Sequence, residues 1–151
     1  MQLVPAGFLI REARAADLPQ VLELAKRSGF PMAEGDFAQR LEEIFRQPQH
    51  RIFLAADEKG AVKAWIHVHV RYGIEFDPTG ELGSFILEPD CRRSKLGAML
   101  VAEAEKWCTH VGCFRLVTRV SPHNPHAQEF YLHQGFSQVK EQKVLQRLIR
   151  R

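Results

Sequence analysis

Arg92, Arg93, Ser94, Lys95, Leu96, Gly97 and Ala98 join an apolar run at 81–87 to an amphipathic stretch at about 95–110. The first backbone N–H groups of a helix have no partner within it, and the helix dipole adds positive potential there. A diphosphate satisfies such donors, and Arg92, Arg93 and Lys95 bring charge to it. Gly97 lets the backbone come close to a bound group. Basic residues before a helix also simply face water, so this segment alone leaves both readings open.

A second group comprises Asn124, Ala127, Phe130, Tyr131, Gly135 and Phe136. Ala127, Phe130 and Tyr131 share one helical face, with a phenol at its edge. By spacing alone this is equally a plain amphipathic helix. His67 and His69 share a strand face with Trp65, where imidazoles can ligate a metal or accept a proton. No third ligand is spaced to join them, which favours a half-exposed sheet face. Cys108, His110 and Cys113 fall at a helix end without a fourth ligand, so no metal is expected there. With Cys91 the chain holds three cysteines, without framework spacing, which suits a reducing compartment.

The elements that must position these residues alternate in period, as in a mixed α/β domain. Strands are expected at 8–14, 51–57, 62–72, 81–87, 114–120, 136–140 and 143–149. Helices are expected from Asp17, over 36–47, over 95–110 and after Asn124. Asp17 reads as an N-cap with Gln20 as its capping-box partner, and Val21, Leu22, Leu24 and Ala25 as that helix's apolar stripe. Phe37, Leu41, Ile44 and Phe45 form a second stripe. Leu96, Met99, Leu100, Ala104, Trp107 and Val111 form the third. Asn124 precedes Pro125 at a favoured first position. The order is β-α-α-β-β-β-α-β-α-β-β.

The 151 residues suit a single domain spanning 1–151, and 45% hydrophobic with 26% charged residues argues against disorder. A formal charge of +3, with no aromatics between the basic residues at 92–95 or beside Arg147, Arg150 and Arg151, argues against nucleic acid as partner. No run reaches the roughly 20 apolar residues of a membrane span. Phe8, Leu9 and Ile10 lead straight into Arg11 and Glu12, unlike a signal-peptide core, so a cytoplasmic protein is expected.

In this order, separated by a helix and a strand, the two motif segments resemble the GNAT superfamily of acyl-CoA-dependent N-acetyltransferases over nearly the whole chain. Arg92 to Gly97 looks like the family's pyrophosphate loop, R/Q-x-x-G-x-G/A. Asn124, Ala127, Phe130, Tyr131, Gly135 and Phe136 match N-x-x-A-x-x-F-Y-x-x-x-G-F. Lys95 stands where that loop has its first glycine, either crowding the phosphates or swinging aside to add its ammonium.

The resemblance implies a GNAT-like, mostly antiparallel mixed sheet flanked by four helices, with acetyl-CoA as acyl donor and no metal. The cofactor would touch Phe85, Ile86, Leu87, Arg92, Arg93, Ser94, Lys95, Leu96, Gly97, Ala98, Asn124 and Phe130. Its pantetheine arm would lie where strands 81–87 and 114–120 splay, bonding the backbone of Phe85 and Leu87 like an added strand. A backbone N–H near Leu87 would polarise the thioester.

Direct attack by a primary amine needs a base. Glu81 is the first candidate, sharing a strand face with Gly83, Phe85 and Leu87, and His67 or His69 is the reserve. Tyr131 would protonate or hydrogen-bond the leaving thiolate. The acceptor would be a small molecule or peptide amine, chosen by the segments 28–36, 72–80 and 139–143, with a homodimer as the assembly. Among these segments Phe30, Met32, Tyr72 and Phe76 stand beside Glu34, Asp36, Glu75 and Asp77, a lining suited to a cation. The alternative is a non-catalytic acyl-CoA-binding sensor or assembly module, raised by Lys95.

Overall fold

The computed structural model describes residues 2–4, 7–30, 33–92 and 94–150. Arg93, Met32 and Arg151, named above, lie outside them, as does the side chain of Glu34. The chain forms two compact units, 1–119 and 120–151.

The first unit carries a six-stranded sheet in chain order: β1 (Gln2–Val4), β2 (Phe8–Glu12), β3 (His50–Ala56), β4 (Val62–Arg71), β5 (Thr79–Leu87) and β6 (Leu116–Thr118). Neighbours pair antiparallel except β5 with β6, which run parallel across the crossover helix α3 (Leu96–His110). Such a parallel pair needs a long connection, and the amphipathic stretch after the basic loop supplies it.

Helices α1 (Leu18–Arg27) and α2 (Glu34–Arg46) cover one sheet face. Val21, Leu24, Ala25, Phe37 and Leu41 pack there against Ile52, Leu54, Trp65 and Ile86, with Leu22, Phe30, Ile44 and Phe45 partly buried around them. On α3 the buried residues are Leu96, Gly97, Leu100, Val101, Ala104 and Cys108. The expected stripe is therefore rotated: Val111 is exposed, and Trp107 is half-buried with the Arg51 guanidinium over its ring. Tight packing sets the rotation, because α3 approaches β5 at Gly80, where a Cβ would stand 2.3 Å from Cys108 Sγ.

The second unit holds α4 (Pro125–His133), where Asn124 Oδ1 accepts from the Ala127 N–H at 3.2 Å, the cap expected from the sequence. The strands expected at 136–140 and 143–149 are not formed. Val144, Leu145, Leu148 and Ile149 fall on both parities of an extended chain, so such a strand needs cover on both faces. Here each is at least 80% exposed.

The capping box at α1 is also absent. Asp17 makes no cap bond to that helix, and Gln20 instead accepts from the Val62 N–H and donates to Gly60 O. Asp17 is buried and accepts two bonds from Arg11, at 2.7 and 2.8 Å, and one from the Arg14 N–H. The Arg11 guanidinium holds this carboxyl below its ordinary value of 3.8. A depressed carboxyl contributes stability that is present above the unfolded value and lost as pH falls through the folded one. Asp17→Asn is accordingly expected to cost on the order of 2 kcal/mol at pH 7. The gap in thermal melts should close below about pH 4; a constant gap would refute the assignment.

Candidate active site

Strand β5 is the hub of the site, and its register carries an irregularity. Glu81 opposes His69 and Leu82 opposes Val68, yet Phe85 opposes Ile66 and Leu87 opposes Ala64. Three steps on β5 thus match two on β4, a bulge at Gly83 and Ser84. The extra residue reverses both alternations beyond it. Glu81 shares its face with Trp65, His67, His69 and Ile86, whereas Phe85 and Leu87 lie on the opposite face. This corrects the expected grouping of Glu81 with Phe85 and Leu87, which assumed an unbroken period of two.

The bulge also redirects the main chain. Glu88 N–H donates to Lys63 O at 2.8 Å, so Glu88 and Ile86 are turned toward β4. Phe85 and Leu87 then direct N–H and C=O to the side of β6. On that side, among the described residues, β6 pairs with Gly80, Glu81 and Leu82. The two strands part where the main chain of Phe85 and Leu87 faces outward. Ile86, expected at the cofactor, pairs with Trp65 of β4 and has its side chain in the core.

At the end of β5 a short 3-10 turn (Pro89–Cys91) leads into α3. Lys95 occupies the N-cap of α3 with φ −81°, makes no side-chain cap bond and is exposed. No glycine-specific conformation is needed at that position, so the lysine replaces the motif's glycine without backbone strain. Ser94 Oγ accepts from the Leu96 N–H at 3.3 Å and donates to Cys91 O. Arg92 is exposed, Gly97 is buried and Ala98 is half-buried. The Leu96 side chain belongs wholly to the core.

Across the face bearing Glu81 runs a row of polar side chains. His50 opposes His69 and Glu81 opposes His69 from the other side, with His67 one pleat along. Glu81 Oε1 accepts from Arg119 Nε at 2.9 Å and Arg71 Nη1 at 3.4 Å, and Oε2 lies 3.5 Å from His69 Nε2. His50 Nδ1 and His67 Nε2 are 2.9 Å apart, so one donates and the other accepts. Burial first, and then the neighbouring imidazoles, lower His67 to about 4. Burial also lowers His69, against the opposing pull of Glu81. A Cβ on Gly83 would stand 2.6 Å from His67 Nδ1, so this glycine makes room for the ring.

The model of the acetyltransferase (GNAT) family matches residues 18–136. The chain belongs to the GNAT family. It is 28% identical over 109 residues to an aminoglycoside N(6')-acetyltransferase type 1 of Serratia marcescens, covering 70% of this chain and 75% of that protein. The solved aminoglycoside 6'-N-acetyltransferase AAC(6')-Ih of Acinetobacter baumannii shares its fold with a TM-score of 0.85 at 20% identity, over 95% of this chain and 99% of that one. AAC(6')-Iy, solved with the bisubstrate analogue CoA-S-monomethyl-acetylneamine, gives 0.86 at 20% identity, over 95% and 100%. This GNAT protein is an N-acetyltransferase, an enzyme that acetylates an amine.

In the second unit of this acetyltransferase, Tyr131 is buried, edge-on to Phe130 at 5.1 Å and to Phe136 at 5.3 Å between ring centroids. Phe136 N–H donates to Tyr131 O at 3.1 Å, closing α4 after Gly135, which has φ +90°. These contacts account for the aromatic and glycine positions of the motif: they fix the phenol's ring.

Three features of this GNAT site escape sequence reasoning. His50 joins His67 and His69 only through strand register. Arg71 and Arg119 meet at Glu81 from strand β4 and from just beyond β6. The bulge leaves a single hint, the small pair Gly83 and Ser84. The cysteines take no part in the polar row: Cys91, Cys108 and Cys113 are buried free thiols. Burial raises Cys91 to about 11 and Cys108 to about 12. Such thiols are poor nucleophiles at neutral pH.

Proposed function

We propose that this enzyme transfers the acetyl group of acetyl-CoA directly to a primary amine of a small cationic molecule, with an aminoglycoside the first acceptor to test. The observation that carries the reading is the parting of β6 from β5 beyond Leu82, with the Phe85 and Leu87 main chain turned to that side. An extended pantetheine adds there as a strand would, and the Leu87 N–H meets the developing thioester oxyanion. Arg92, Arg93, Ser94, Lys95, Gly97 and Ala98 hold the diphosphate at the α3 start, where the Leu96 N–H is already engaged by Ser94. The exposed Lys95 adds its ammonium from outside the loop.

Glu81 is the base and Tyr131 the acid in this reading, with Asn124 and Phe130 at the cofactor. The reaction domain spans 1–151, supported by a family match over 18–136 that takes in parts of both units. Two relatives that are aminoglycoside N(6')-acetyltransferases support a small-molecule amine, as do the exposed Glu75 and Asp77 beside the exposed Tyr72 and Ile74. A homodimer is part of the proposal, since the exposed Val144, Leu145, Leu148 and Ile149 need cover; light scattering giving the mass of one chain would dismiss it.

The test is calorimetry with acetyl-CoA, followed by thiol release over aminoglycosides, polyamines and amino acids. Saturable binding and turnover with at least one amine are expected. Absence of acetyl-CoA binding in the folded chain would overturn the donor assignment, and turnover confined to peptide amines would overturn the acceptor class.

A further inference from the structure

His50, His67 and His69 each offer a ring nitrogen, and these three atoms lie within 4.8 Å of one another. The imidazoles stack, with centroids 4.9 to 5.4 Å apart, and all three are half-buried. They come from two strands, so the sheet ladder rather than a flexible loop holds them: His50 opposes His69, and His67 opposes Ile52 one pleat away. Beneath them Gly83 leaves the space that the His67 ring fills. Stacked neutral rings gain little from one another at these distances, while each carries a lone pair that must be satisfied. His69 shows the deficit directly, because its Nδ1 is buried without a hydrogen-bond partner.

We propose that His50, His67 and His69 form a binding site for a divalent first-row transition cation, zinc being the type case. Tetrahedral zinc holds imidazole nitrogens at about 2.0–2.1 Å, which places them about 3.3 Å from each other. The His50–His67 pair, at 2.9 Å, is already a little closer than that, and all three nitrogens lie within 4.8 Å of one another. The donor set is all imidazole, which selects zinc, nickel, copper or cobalt over magnesium or calcium. Glu81 completes the outer layer. Its Oε2 stands 3.5 Å from His69 Nε2, the position from which a carboxylate orients a metal-bound histidine through its second nitrogen. His69 then ligates through the unpartnered Nδ1. Three protein ligands leave a fourth position for water. The group formed by Cys108, His110 and Cys113 makes no such cluster among the described residues.

The site is tested by binding, so it stands or falls separately from the donor and acceptor assignments. The chain is stripped with a chelator and titrated with Zn²⁺ by calorimetry and with Co²⁺ by visible absorption. One equivalent of Zn²⁺ and a tetrahedral Co²⁺ spectrum are expected. His50→Gln should weaken Zn²⁺ binding by about 100-fold or more, at least the effect of losing an outer-layer partner. Its fold is checked by circular dichroism, and His69→Gln replaces it if it does not fold. His126→Gln, on an exposed residue of α4, should bind Zn²⁺ as the parent does. No saturable uptake by the parent chain, or uptake that His50→Gln and His69→Gln leave unchanged, would overturn the site.

Discussion

Tyr131→Phe is expected to lower kcat by roughly 10- to 100-fold while leaving the affinity for acetyl-CoA unchanged. The size follows from the chemistry of the leaving group. A phenol near pKa 10 protonating a thiolate near 8.5 is uphill by about 2 kcal/mol, so full transfer is not the main contribution. A hydrogen bond donated to a forming anion is worth about 1.5–3 kcal/mol. Only the hydroxyl is removed by this substitution. The ring that packs edge-on to Phe130 and Phe136 stays, so the aromatic packing around it is kept. An unimpaired kcat at equal stability would remove Tyr131 from the mechanism.

Glu81→Gln tests the other half of the proton balance. An amine like a lysine side chain costs roughly 4–5 kcal/mol to deprotonate at pH 7. General-base assistance typically supplies 100-fold or more, so a loss of about 100-fold in kcat at pH 7 is expected. The sign of the pH dependence is the sharper reading. Without its base the variant depends on acceptor molecules that are already neutral. Its rate should therefore climb tenfold per pH unit up to the amine's pKa, narrowing the gap to the parent as pH rises. Because Glu81 also engages Arg71, Arg119 and His69, a fall that is the same at every pH would assign it to positioning instead. His67 is a poor substitute base, since burial and its neighbours hold it near 4.

Both residues were legible as candidates in the sequence, but for unequal reasons. Tyr131 sits in a contiguous motif whose spacing is helical, and local spacing survives folding because Asn124 and Pro125 start the helix at a fixed point. Glu81 stands at the head of a strand in the sequence, yet a period of two gives it the wrong neighbours. One extra residue at Gly83 and Ser84 changed the face of Phe85 and Leu87 and the edge that their main chain meets. The C-terminal strands failed for a related reason. Apolar residues at 144, 145, 148 and 149 advertise a strand, but a strand exists only where a sheet edge and cover are supplied.

Local signals in the chain were enough to determine the helices, the basic α3 start, the Asn124 cap and the family motifs. These rest on interactions within a few residues and so are written in consecutive positions. The contacts between strands were decided only by the tertiary structure. Register placed His50 beside His67 and His69, brought Arg71 and Arg119 to Glu81, and ended the β6 ladder at Leu82. Pairing partners 17 or 38 residues away leave no periodic trace, because the ladder bonds that align them involve backbone atoms common to every residue.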